Sequence, residues 1–112
     1  KCKIGETYNI GSNCEKSNLD IVNEICSIMD KVKPRNNGSK YKELITFVKD
    51  RPGHDLRYAI DSSKIKEHVN WKSSISFEEG IVKTVYWYID NVEWWSEKIN
   101  NNYNLSRLGV DK

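Results

Sequence analysis

The sequence predicts an α+β domain, rich in helix with a few short strands, and three observations carry that reading. Apolar residues recur at three- and four-residue steps in two windows, 19–32 and 77–92, the spacing of an amphipathic helix. Three short β-favouring stretches, residues 6–10, 44–48 and 57–60, lie before and between them. The chain has 112 residues, 38% hydrophobic and 30% charged, which suits one small domain able to bury a core.

The elements follow in chain order. Residues 6–10 alternate polar and apolar between glycines and are read as a short strand, with residues 11–14 as the turn after it. Leu19, Val22, Ile25, Cys26, Met29 and Val32 line one face of the first helix. Ser17, with Asp20 three residues on, supplies its N-terminal cap, and Pro34 ends it. Asn36, Asn37, Gly38 and Ser39 form a loop. Residues 44–48 read as a buried or half-buried strand and residues 57–60 as another. Asp61, Ser62 and Ser63 cap a helix that reaches about His68 and closes at Asn70. Ser76 and Glu79 have capping-box spacing ahead of the stripe Phe77, Ile81, Val85, Tyr88 and Val92. Beyond Trp95 the tract Asn100, Asn101, Asn102 predicts fraying, with residues 103–108 docking back.

Composition narrows the function. The formal charge of +2 is small and basic residues are interleaved with acidic ones, so a broad positive face for nucleic acid is not expected. No apolar run is long enough to span a membrane and no secretory leader is visible, which gives a cytoplasmic expectation. Cys2, Cys14 and Cys26 form neither a paired disulfide framework nor a zinc knuckle and are read as free thiols; no metal site is expected. The chain starts at Lys1 and opens directly into a strand-like segment, so a piece of a longer protein is expected.

The richest stretch is Asp50-Arg51-Pro52-Gly53-His54-Asp55-Leu56-Arg57-Tyr58-Ala59-Ile60-Asp61, with two guanidiniums, an imidazole and three carboxylates around a Pro-Gly turn. Read on its own it is a solvated surface turn or an anion-binding loop. A guanidinium fork can grip a phosphate bidentately, which contributes about 1.5–3 kcal/mol for a partly shielded charge-assisted contact. Taken with Gly5-Glu6-Thr7-Tyr8-Asn9-Ile10-Gly11, Glu15-Lys16-Ser17-Asn18-Leu19 and Gly80-Ile81-Val82-Lys83-Thr84-Val85-Tyr86-Trp87-Tyr88, it resembles the C-terminal part of the dTDP-glucose 4,6-dehydratases. These are extended short-chain dehydrogenase/reductases that act on nucleotide sugars.

The resemblance implies the C-terminal, nucleotide-sugar-binding portion of an NAD-dependent Rossmann-type enzyme, spanning residues 1–112 as one domain. It implies that Arg51 contacts the diphosphate of a dTDP-sugar, with Asp50, Pro52, Gly53 and His54 completing the loop. His54 is assigned to binding and not to proton transfer, and an Arg-Pro-Gly-His-Asp run is characteristic of dehydratases where epimerases usually carry Arg-Pro-Gly-Asp. Asn18 matches a phosphate-contacting asparagine; it could also cap its helix, and both roles suit a helix N-terminus. Arg57 and Tyr58 match the pattern too, or brace the loop by pairing with Asp50, Asp55 or Asp61. Trp71, Trp87, Trp94 and Trp95 are read as core or interdomain packing, with Trp94 and Trp95 on different faces of one helix. Glu78 and Glu79 are read as capping residues, and His68 as solvent-facing.

The family's reaction, as the resemblance implies it, oxidises glucose at C4 with bound NAD, eliminates water across C5 and C6 and returns hydride to C6. The six glycines form no Gly-rich strand-to-helix turn, and none of Tyr8, Tyr41, Tyr58, Tyr86, Tyr88 or Tyr103 has Lys four positions later. No catalytic or cofactor residue is therefore assigned, and the chain alone is expected to be inactive. The partner expected is the NAD-binding domain of the same enzyme, which also makes the family homodimer. Two other readings stand beside this one: a different nucleotide-sugar epimerase or dehydratase, and a non-catalytic module that binds a nucleotide or a partner protein.

Overall fold

The computed structural model describes residues 2–50, 52–53 and 59–102. They form four helices, α1 Asn18–Val32, α2 Ser63–Val69, α3 Phe77–Asp90 and α4 Val92–Asn102, with one 3-10 turn at Tyr41–Leu44. Helix α1 begins where expected. The amide of Asp20 donates to Ser17 Oγ at 3.1 Å and the amide of Ser17 donates to Asp20 Oδ2 at 3.2 Å, a reciprocal cap that satisfies two donors the helix cannot. At its other end Lys33 N donates to Met29 O at 2.9 Å and Pro34 follows.

Asn37 and Gly38 turn the chain back. Asn37 Oδ1 accepts from the amide and the hydroxyl of Ser39, and Gly38 takes φ +72°, a region that favours glycine. The Tyr41 hydroxyl then donates to Lys33 O at 2.9 Å and its amide to Asp30 Oδ1 at 3.0 Å, pinning the 3-10 turn to the end of α1. Helix α1 packs on this turn and on α3, and α3 packs on α4.

Ser76 caps α3 by accepting from Glu79 N at 3.2 Å. Asn91 makes the corner into α4, its side-chain amide donating to Trp87 O at 2.8 Å, and Trp95 Nε1 donates back to Tyr88 O at 2.8 Å. The two tryptophans of α4 do face differently. Trp94 is exposed and sits edge-on to Trp87, with centroids 5.2 Å apart, whereas Trp95 is half-buried against α3.

Two expectations need correction. No strand occurs among the described residues: 6–10 and 45–48 are irregular, Leu44 closes the 3-10 turn, 59–60 are irregular, and 57–58 lie outside the described residues. A strand exists only as one rail of a ladder, and periodicity reads a single rail without showing whether its partner is present. Phe47 and Val48, read as half-buried or deeper, are 81% and 66% exposed. The second correction is at α4, which continues through Asn102 instead of fraying after Trp95. Asn costs a helix only about 0.7 kcal/mol relative to Ala, too little to stop a helix already packed on α3. Residues 103–108 lie outside the described residues.

Among the described residues the buried hydrophobic set is Ile28 of α1, Ile65 of α2 and Val85 of α3. The seam of α1, α3 and α4 leaves an apolar groove of about 340 Å³ lined by Ile25, Met29, Ile81, Val85, Tyr88 and Trp95. Among the described residues, helix α2 packs on none of the other helices and is held by loop segments. The radius of gyration is 18.3 Å; a compact chain of this length has about 13 Å.

Candidate functional site

Of the six residues expected to bind phosphate, the structure describes four. Asn18 is the first residue of α1 and is exposed; the cap is Ser17, so the capping alternative for Asn18 falls away. Its position among the first amides of the helix, which have no intrahelical acceptor, is the part of α1 where an anion is best received. Asp50 is exposed, and Pro52 and Gly53 form an exposed turn in which Gly53 takes φ +68° with open space beside it. Arg51 and His54 lie outside the described residues, as do Arg57 and Tyr58.

A groove of about 570 Å³ lies between two stretches of chain. One wall runs from Gly11 to Glu15 and leads into the cap of α1; the other is Ala59, Ile60 and Asp61, where the arginine loop returns to the body of the protein. None of Asn18, Asp50, Pro52 and Gly53 lines this groove, but its walls lie in the segments that lead toward Asn18 and away from the arginine loop. The walls approach closely where the Ile60 side chain packs on Gly11: a Cβ added at Gly11 would lie 3.1 Å from Ile60 Cβ and 3.2 Å from its Cγ2. Ser62 Oγ donates to Asn13 Oδ1 at 3.1 Å, and Ser62 is buried. Asn13 stands at φ +54°, in the left-handed region that Asn tolerates better than other residues with a side chain. The sequence reads Gly11 only as a turn and motif residue and Ser62 only as a helix cap, a bond its side chain does not make; their contacts across the groove leave no local period.

The rest of the N-terminal segment is laid across α2. Lys64 Nζ donates to Glu6 Oε2 at 2.7 Å and to Thr7 O at 2.9 Å, and lies 5.2 Å from the centre of the Tyr8 ring. The Tyr8 hydroxyl is 3.0 Å from His68 Nδ1, so His68, exposed as expected, also has a specific partner. The Lys64 hydrogen bond, then its charge, holds the Glu6 carboxyl below its ordinary value. Lys16, just before the cap of α1, bridges to Glu78 in the first turn of α3 at 3.2 Å, which raises the Lys16 ammonium. Glu78 is lowered by its own backbone amide first and by Lys16 next. Glu78 and Glu79 thus serve helix starts and one ion pair, not an acid/base pair.

The five described glycines are scattered and do not come together. Gly5, Gly38 and Gly53 sit in separate turns, Gly11 has its open face filled by Ile60, and Gly80 is inside α3. Cys2, Cys14 and Cys26 are free, and among the described residues no cluster of His, Cys, Asp or Glu could hold a metal. No helix among them is long and apolar enough to cross a membrane.

Comparison with known proteins gives a consistent picture. Residues 1–84 match the family model described as GDP-mannose 4,6 dehydratase. The dTDP-glucose 4,6-dehydratase of Neisseria meningitidis serogroup B is 47% identical over 111 residues, covering 97% of this chain and 31% of the relative. That of Escherichia coli is 48% identical over 108 residues, covering 95% and 30% respectively. A crystal structure of dTDP-glucose 4,6-dehydratase from Bacillus anthracis in complex with NAD superposes with a TM-score of 0.69 at 40% identity, covering 85% of this chain and 27% of that one. The chain therefore spans under a third of the length of these relatives, and the matched part is their C-terminal part.

Proposed function

The chain belongs to the GDP-mannose 4,6 dehydratase family, and from that membership we propose that it forms the nucleotide-sugar-binding portion of a dTDP-glucose 4,6-dehydratase. The complete enzyme converts dTDP-glucose to dTDP-4-keto-6-deoxyglucose, and this portion grips the diphosphate. Arg51 supplies the bidentate fork. Gly53, without a side chain and at positive φ, lets the backbone come close to the anion. Asn18 adds an amide at the positive end of α1, while Asp50, Pro52 and His54 shape the loop. NAD is held by residues outside this chain, a reading supported by the scatter of the described glycines over separate turns and one helix. The acid/base groups lie outside it too, so the chain alone is inactive.

One observation carries the reading: the segment leading to Asn18 and the segment leaving the arginine loop are opposite walls of a single groove. The test is a titration with dTDP followed by backbone amide NMR, wild type against Arg51→Ala. Saturable shifts centred on Asn18 and residues 50–54, lost in the variant, are expected. Shifts that persist unchanged in Arg51→Ala would show that the anion is held elsewhere.

A further inference from the structure

Asn37-Gly38 is the one place in the sequence where glycine follows asparagine. Both residues are exposed, in the loop between α1 and the 3-10 turn. Asn37 Oδ1 accepts two hydrogen bonds, from Ser39 N at 3.1 Å and from Ser39 Oγ at 2.8 Å. A backbone N–H can only donate, so the first of these fixes which side-chain atom of Asn37 is the oxygen. Two donors on one carbonyl oxygen draw charge away from Cγ, and they stand ready to hold the negative charge that oxygen gains when Cγ is attacked. The neighbouring nucleophile is the Gly38 nitrogen, and it is open to approach. Nothing lies within 4 Å of where a Cβ would stand on Gly38, which is at φ +72°. Asn9, Asn13, Asn70 and Asn91 are instead followed by Ile10, Cys14, Trp71 and Val92, whose side chains crowd the same nitrogen.

We propose that Asn37 is a self-modifying site, which closes on Gly38 to a cyclic imide and opens with water to aspartate and isoaspartate. The Gly38 N–H gives its proton to solvent and the nitrogen bonds to Asn37 Cγ. The Cγ–Nδ2 bond breaks and Nδ2 leaves as ammonia. Water then opens the ring: cleavage at Cγ gives aspartate, and cleavage at the main-chain carbonyl gives isoaspartate, with the chain now running through Cγ. One water enters, one ammonia leaves and no electron changes hands. The Gly38 N–H donates to Arg35 O at 3.1 Å, so this bond opens first, as the bonds of exposed turns do locally. Isoaspartate lengthens the main chain by one atom in the loop that brings Tyr41 to α1. There the Tyr41 amide donates to Asp30 Oδ1 and its hydroxyl to Lys33 O, so modification slackens the pin between the 3-10 turn and the end of α1.

The test is incubation of the folded chain in heavy-oxygen water, followed by peptide mapping by mass spectrometry and by labelling with an isoaspartate-specific methyltransferase. Heavy oxygen should enter residue 37 as ammonia is lost, and the methyl label should follow, while peptides holding Asn9, Asn13, Asn70 and Asn91 stay unchanged. Ser39→Ala keeps the amide donor and removes the hydroxyl, and should slow conversion about fivefold, the worth of one hydrogen bond. In urea, where the turn is lost, wild type and Ser39→Ala should convert at one rate. The Tyr41 amide signal should move as wild type converts and stay fixed in Asn37→Ser, which has no amide to lose. Absence of conversion in the folded chain overturns the site. Conversion in folded Ser39→Ala as fast as in wild type, or faster, overturns the activating role of the hydroxyl, and a Tyr41 signal that does not move overturns the slackening.

Discussion

Gly53 is the residue whose replacement is easiest to forecast. It sits at φ +68° with nothing near a would-be Cβ, so Gly53→Ala meets no clash and carries only the backbone penalty. That penalty is about 1–2 kcal/mol if the turn keeps its shape. The expected outcome is a weaker dTDP complex with little change in the urea midpoint, because an exposed turn escapes the strain by changing shape. Ser17→Ala should behave oppositely, lowering the urea midpoint by about 1 kcal/mol of stability through loss of the α1 cap. Asp20 completes that cap, and its carboxyl is lowered from 3.8, chiefly by the Ser17 hydroxyl and then by the Ser17 amide. A lowered carboxyl stabilises the fold above its unfolded value and loses that contribution as pH falls through the folded one. The first-turn amides of α1 should therefore titrate below pH 3.8 by NMR in wild type and not in Asp20→Asn.

At the level of elements, the α1 and α3 pair contains Ile28 and Val85, two of the three buried hydrophobic residues among those described, and Ile28→Ala should lower stability by about 2–3 kcal/mol, read from thermal or urea unfolding. Both helices were legible in the sequence for local reasons: Ser17 with Asp20, Ser76 with Glu79, and an apolar face at helical steps. Helix α2 was legible through Asn70, which closes it at φ 53°. The strands were misread because Leu44, Phe47 and Val48 have β character while the described chain offers no rail to pair with. In the candidate site, the Pro52-Gly53 turn and Asn18 were legible as motif residues. The bond between Asn13 and Ser62 was not, since neither residue type nor spacing announces a bond between distant segments. The N-terminal segment gives a second pH prediction. Glu6 is held below 4.5 by Lys64, so the contact between this segment and α2 is intact near neutrality and should loosen as pH falls below 4.5. The amide signals of Glu6 and Lys64 should move together in that window.

At the scale of the whole molecule, many large apolar side chains among the described residues are exposed. Leu44, Phe47 and Val48 are exposed close together in the sequence, and Tyr86, Trp87, Tyr88 and Trp94 are exposed on α3 and α4, with Trp87 edge-on to both Tyr88 and Trp94. Surfaces of this kind in soluble proteins are normally covered by a partner or another domain. The isolated chain should therefore self-associate, and sedimentation should show mass rising with concentration; a compact monomer at every concentration would refute this. The position of α2 bears on how the protein comes together. Seven residues are too few for a helix to persist alone in water, and among the described residues α2 has no helical neighbour to lean on. Its folding must wait for residues 6–13 to arrive from the far end of the sequence, so α2 is a late-forming element whose helicity reports on whether the N-terminal segment has reached its place.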